Sequence, residues 1–129
     1  MPVSGLQLFD GVNLGIERVL DLRAAQSTLV AGNLANADTP GYLAKEIPFG
    51  DLLKEVMDGA TSGATVLPDE NSVEIIERDA TANDLDGNSV DLEHEAGVMA
   101  SNAVQYNALT TGVSRRLALL RFAASDGRS

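Results

Sequence analysis

The chain has 129 residues, a net charge of -10 and a pI of about 4.3. Nine Lys and Arg stand against nineteen Asp and Glu, which excludes a surface that tracks phosphates and disfavours an anionic membrane. Cysteine is absent, which excludes disulfides and thiolate chemistry, and aromatics at 4% leave a core of Leu, Val, Ile and Ala that suits helix packing better than a compact enzyme fold.

The N-terminal stretch "MPVSGLQLFDG" holds no basic residue and no long apolar core, so it does not read as a cleavable secretory signal. No apolar run approaches the roughly 20 residues of a membrane helix. From Leu6 to Asn36, Val12, Ile16, Val19, Leu20, Leu22, Leu29, Val30 and Leu34 recur at helical spacing and predict one long helix. Gly11, Gly15 and Gly32 make it less regular, since each costs about 1 kcal/mol relative to Ala. Thr39-Pro40-Gly41-Tyr42 ends the helix. Pro40 pushes Thr39 out of the helical region, and Pro-Gly is the type II turn signature with Gly41 at positive φ. Pro48 is expected to block another helix nearby, and "DLLKEVMDG" (Asp51 to Gly59) reads as a short helix capped by Asp51.

Residues 59–89 form a weak middle. "GATSGAT" is a flexible linker by composition, "SVEIIERD" is β-prone and predicts a short strand, and "DATANDLDGNS" is turn-rich. The second long helix is the clearest feature. Alternate steps of four and three residues visit Leu92, Ala96, Met99, Ala103, Tyr106, Thr110, Val113, Leu117, Leu120 and Ala124, and only Thr110 interrupts the apolar stripe. A period of 3.5 is that of a coiled-coil seam, and 33 residues span roughly 50 Å. Asp91 is the expected N-cap, with Asn88 as its competitor. Asp91, Glu93 and Glu95 at the start, and Arg115, Arg116 and Arg121 near the end, complement the helix dipole.

Charge is missing where surface helices usually carry it. Ala24 to Ala37 and Ala96 to Ser114 contain no charged residue. Their outer faces hold Ser, Thr, Asn, Gln, Gly and Ala, which are too polar for lipid and cheap to desolvate against protein. The bland alternative is a poorly charged solvent face in a monomeric hairpin. Packing against other subunits is preferred because both helices share the gap, as interface cores are depleted in charge. The acidic residues collect elsewhere: fourteen acids and two bases lie from Glu46 to Glu95, and four bases and one acid follow. A basic helix end meeting a neighbour's acidic region fits this, as does simple dipole complementarity beside a solvated loop.

Chemistry has few candidates. Asp84, Asp86, Asn88 and Glu95 fall at positions 1, 3, 5 and 12 of a calcium-binding helix-loop-helix, but Ser89 replaces the Gly required at position 6 and Asp91 stands at the usually apolar position 8. The lone His94 sits in the first turn of the second helix beside Glu93 and Glu95, and sequence neighbours do not share a helix face. No phosphate loop or dinucleotide fingerprint occurs. No catalytic residue, metal ligand or cofactor is assigned.

The stretch "NLANADTPGY" (Asn33 to Tyr42) resembles the signature of the bacterial flagellar rod and hook proteins, an Asn-x-x-Asn-x-x-Thr-x-Gly-Tyr pattern after an N-terminal helix. "LAKEIPF" (Leu43 to Phe49) and "DGNSVDLEHE" (Asp86 to Glu95) are similar to the proximal rod members of that family. The resemblance implies a structural role in the basal body, reached by type III export from the cytoplasm without a cleaved signal. It implies N- and C-terminal helices that pair and pack around a hollow rod that transmits torque. The partners it implies are further copies of the chain, neighbouring FlgC-like rod proteins, the adaptor FliE, and MS-ring and export-gate components, with no nucleic acid and no membrane insertion. By position, Asn33, Leu34, Ala35, Asn36, Thr39, Pro40, Gly41 and Tyr42 would form the junction between inner helix and outer extended segment, a conformational role.

The expected fold is therefore mainly α, a coiled-coil hairpin of two long helices with an irregular, partly extended middle. It divides into residues 1–38, 39–89 and 90–129 within one axial-protein domain. Two other readings predict different behaviour. A soluble adaptor or chaperone that binds a partner's helices would form a small discrete complex, and a calcium-responsive module would bind the ion in the micromolar range.

Overall fold

The computed structural model describes residues 5–52, 54, 73–80 and 85–125 and, within the first helix, the side chains of residues 13 and 15–35. Helix α1 spans Gly5–Ala35, strand β1 Lys45–Glu46, strand β2 Ile76–Glu77 and helix α2 Leu92–Ala124. At 1.5 Å per residue the helices are about 46 and 50 Å long. They pack against each other in opposite directions. Asn33 lies beside Glu95, while Ser27 and Arg23 lie beside Asn102. The mainly helical hairpin expected from the two periodic segments is present.

Local chemistry accounts for the helix ends. Asp91 caps α2, its carboxylate accepting from the N–H groups of Glu93 and His94, both at 3.0 Å. Glu93 and Glu95 in the first turn and Arg121 in the last suit the dipole. At the end of α1, the Asn36 N–H is shared between the carbonyls of Gly32 at 3.2 Å and Asn33 at 3.1 Å, and so tightens the last turn. The Thr39-to-Tyr42 turn follows as predicted: Tyr42 N–H donates to Thr39 O at 3.2 Å and Gly41 sits at φ 72°.

After the turn the chain runs extended into β1. β1 pairs antiparallel with β2, Lys45 facing Glu77 and Glu46 facing Ile76. The ribbon continues through Arg78 N–H donating to Ala44 O at 2.8 Å. β2 falls inside the β-prone stretch "SVEIIERD".

One expectation reverses. Pro48 does not block a helix; residues 49–52 and 54 are helical, with Leu52 N–H donating to Pro48 O at 3.1 Å. Asp51 lies inside this turn and not at its cap. Proline is tolerated in a first helical turn because the N–H it lacks has no intrahelical partner there. The rest of the expected helix to Gly59, the "GATSGAT" linker and residues 81–84 lie outside the described residues.

Among the described residues the buried apolar side chains are Leu22, Val30, Ala44 and Ile47. Five polar residues share their burial, namely Asn33, Asn88, Ser89, Glu95 and Asn102. Among the described residues, no helix is long and apolar enough to cross a membrane.

Candidate functional site

The junction is built around Asn33. Its side chain is fully buried, and its amide faces the backbone of β1 as a peptide group in a neighbouring strand would. Asn33 Nδ2 donates to Lys45 O at 2.8 Å, and Asn33 Oδ1 accepts from Lys45 N–H at 2.9 Å. The second Nδ2 proton goes to Glu95 Oε2 at 3.0 Å, and Tyr42 OH donates to the same Oδ1 at 3.3 Å. One amide therefore ties α1, the turn, β1 and α2 together with every donor and acceptor used. The motif spacing explains the reach: Asn33 sits on the last full turn of α1, and the type II turn reverses the chain so that Lys45 returns past it.

Asn36 and Thr39 close the turn itself. Asn36 Nδ2 donates to Gly32 O at 2.8 Å, and Thr39 OH donates to Asn36 Oδ1 at 3.2 Å. Pro40 and Gly41 form the corner on the surface, and both are exposed. Leu34 is half-buried and Ala35 exposed, on the flanks of the two asparagines.

The segment before α2 supplies the other half. Asn88 Nδ2 lies 3.0 Å from the carbonyl of Asn36 and 2.8 Å from those of Ala37 and Thr39, in the turn that follows α1. Asn88 Oδ1 accepts from Val90 N–H at 2.8 Å. Asn88 thus clasps the turn that follows α1 and is not the cap of α2. Gly41 N–H donates to Asp86 O at 2.9 Å, Ser89 N–H to Tyr42 O at 3.0 Å, and Ala44 N–H to Ser89 Oγ at 2.7 Å. Gly87, at φ 69°, passes close to Gly41, since a Cβ there would lie 3.8 Å from the Gly41 Cα.

Glu95 is the largest fully buried side chain at this joint, 1% exposed. Arg78 neutralises it, with NH1 at 3.2 Å from Glu95 Oε1 and NH2 at 2.6 Å from Glu46 Oε2. Burial pulls the Arg78 guanidinium down, but the bonds and charge of Glu46 and then of Glu95 outweigh it and hold Arg78 above the usual arginine value. Arg78 therefore keeps its charge at every pH below the usual arginine value.

Further along the hairpin, Asn102 repeats the device. Asn102 Nδ2 donates to Arg23 O at 2.8 Å and Ser27 Oγ at 2.7 Å, and its Oδ1 accepts from Arg23 NH1 at 3.4 Å. The Arg23 guanidinium stacks on Phe49, 4.1 Å from the ring centre, and desolvation lowers its pKa.

The residues of the proposed calcium loop are engaged within the protein. Asn88 clasps carbonyls, Asp91 caps α2, Glu95 pairs with Arg78, and Asp84 lies outside the described residues. His94 is exposed in the first turn of α2, as expected.

Most of the expected seam is exposed in the single chain, with Thr110 and Val113 half-buried. Leu92, Met99, Tyr106, Leu117 and Leu120 are 58, 37, 39, 53 and 40% exposed. Ala96 and Ala103 are exposed. The stripe that meets α1 is displaced by one residue and runs through Glu95, Val98 and Asn102.

Arg78, Asn88 and Asn102 were not singled out for these roles by sequence pattern. For Arg78 a signal exists, as one of two bases among fourteen acids between Glu46 and Glu95. For Asn102 the signal is its place inside a charge-free helix. Asn88 falls within "DGNSVDLEHE", but its partners are about 50 residues away and invisible to any local pattern.

A long antiparallel helix pair, locked at one end by a polar joint and exposing apolar side chains along its second helix, is the framework of a helical structural subunit. No protein-family model matches the chain. Over 115 residues, 78% of this chain and 83% of its relative, it is 32% identical to the flagellar basal body rod protein FlgB of Escherichia coli K12. It is 33% identical over 115 residues, with the same shares, to FlgB of Salmonella typhimurium. FlgB of Bacillus subtilis is 25% identical over 129 residues, covering 95% of this chain and the whole of that protein. The chain belongs to the FlgB family of flagellar basal body rod proteins.

Proposed function

We propose that this chain is a structural subunit of the proximal rod of the bacterial flagellar basal body. It leaves the cytoplasm by type III export and self-assembles with further copies and FlgC-like rod proteins into the hollow drive shaft. At the base of that shaft it meets the adaptor FliE and the MS-ring and export gate. Family membership supports the basal-body location.

The observation that carries the assembly step is the outward face of α2. Leu117, Leu119, Leu120 and Phe122 are 53, 70, 40 and 58% exposed within a single helical stretch. These side chains surround the last turns of α2, and a monomer gains nothing from keeping them in water; burial against neighbouring subunits recovers about 25 cal/mol per Å² of apolar surface. The uncharged residues from Ala96 to Ser114 extend this face at little desolvation cost.

The junction takes a mechanical role in this reading. A rod under torque needs its inner helices rigidly coupled to its outer segments, and the Asn33, Glu95 and Asn88 bonds provide a coupling with no spare polar group. Complementation of a deletion strain tests the function. Wild type restores motility and co-purifies with basal bodies, whereas Leu117→Asp places a charge in the seam and blocks rod formation. Normal rods with Leu117→Asp would show that this ridge takes no part in assembly.

A further inference from the structure

A second apolar feature is formed by α1 and the β-ribbon. Between α1 and the β-ribbon runs a groove of about 280 Å³ lined by Leu22, Ala25, Leu29, Ile47, Val73 and Ile75. Its volume suits two or three aliphatic side chains. Ile75, in its lining, is 53% exposed. The rim is acidic. Asp21 lines the groove, and Glu77 lies two residues beyond Ile75 on the ribbon.

The far end of α2 carries the complement. Val113, Leu117 and Leu120 stand at i, i+4 and i+7, the spacing by which a helix anchors in a groove, and exposed Arg121 follows Leu117 by one turn. The basic ridge matches the acidic rim in sign and the groove in polarity.

The chain cannot make this contact with itself. The groove lies at the level of Leu22 to Leu29 on α1, which is where Asn102 packs. Leu117 stands fifteen residues further along α2, about 22 Å away down the helix axis. A rigid antiparallel pair offers no hinge that folds the end of α2 back.

We infer that the Val113–Leu117–Leu120–Arg121 ridge of one copy docks into the Leu22–Ile47–Ile75 groove of a second copy displaced along the helix axis by about 22 Å. The two surfaces differ, so the contact is head-to-tail and leaves one free ridge and one free groove at each step, as an open helical filament requires. The inference rests on the assembly reading above and specifies which surfaces meet.

The natural absence of cysteine makes the contact directly testable. Ala25→Cys and Leu120→Cys both lie at exposed positions and leave the hairpin interface intact. Full-length single variants are mixed and mildly oxidised, both as purified protein and in basal bodies from a strain that carries both. Mixed Ala25–Leu120 disulfides are expected in excess over either homodimer, and the double variant forms ladders. Arg121→Glu lowers the mixed yield about threefold and Asp21→Arg restores it, as for an exposed ion pair. Chains that assemble into basal bodies without the mixed disulfide, or a disulfide closed within one chain, overturn the contact and leave the rod function standing. Mixed disulfides in purified protein from a chain absent from basal bodies would sustain the contact and sink the rod function. Absence of the mixed disulfide in both preparations overturns the contact.

Discussion

The two ends of the hairpin solve opposite problems. At the junction end, the buried groups are polar: Asn33, Asn88, Ser89 and Glu95 are covered, and each finds its partners within the chain. Towards the far end of α2, the groups are apolar and uncovered, with Leu117, Leu119 and Phe122 more than half exposed. The contrast separates what the chain completes alone from what it leaves for a neighbour. Directional hydrogen bonds specify one geometry and suit a joint that must be the same in every copy. Apolar area is non-directional and suits a surface that must form after export, against whichever correctly placed subunit arrives.

Substitutions at the joint break its side of the contrast most strongly. Asn33→Asp sets a second carboxylate 3.0 Å from Glu95 Oε2 and removes the amide protons bound by Lys45 O and Glu95. A loss of about 4 kcal/mol is expected in urea unfolding of the purified chain, from like-charge repulsion plus unsatisfied buried groups. A variant as stable as wild type would mean the amide is not the tie we describe.

Arg78→Met comes next. It strips the cation from fully buried Glu95, and the loss should be about 2–3 kcal/mol, below a fully buried pair because Arg78 itself is 28% exposed. Thermal melting of Arg78→Met alongside Arg78→Met/Glu95→Gln checks the cause: the double variant should recover part of the loss, and no recovery would assign the effect to packing by the arginine stem.

Gly41→Val isolates the corner. Nothing stands within 4 Å of a Cβ at Gly41, so the whole cost comes from φ 72°, about 1–2 kcal/mol for a β-branched residue. Gly41→Asn should cost less, because asparagine tolerates the left-handed region. Equal melting temperatures for the two would remove backbone strain as the reason. Reduced motility of Gly41→Val is expected in swarm assays.

The smallest effect on the isolated chain sharpens the comparison most. Leu117→Asp should change monomer stability by no more than about 0.5 kcal/mol, because the side chain is already 53% exposed, while it abolishes assembly. A large loss of monomer stability would show instead that the ridge supports the hairpin.

Local signals in the sequence were accurate for the elements. The period of 3.5 ran from Leu92 to Ala124, and these are the ends of α2, with Asp91 as its cap. The first helix was expected from Leu6 to Asn36 and spans Gly5–Ala35. Pro40-Gly41 marked the turn, and "NLANADTPGY" marked the asparagine that holds the joint. Pro48 misled because the same residue that stops a helix also starts one, and which of these it does depends on the chain before it.

The sequence by itself determined two long helices, the positive-φ corner between them and the stretches without charge, because each rests on residues within a few turns of one another. Tertiary structure alone decided which face of α2 meets α1. From Leu92 to Ala103 the apolar stripe points outward, and a stripe one residue away, carrying Glu95 and Asn102, points in. Periodicity counts apolar residues as inward, but a buried Glu or Asn is stable when partners such as Asn33, Arg78, Arg23 and Ser27 arrive to satisfy it. Most of those partners stand 62 to 79 residues away along the chain, so only the folded hairpin brings them within bonding distance.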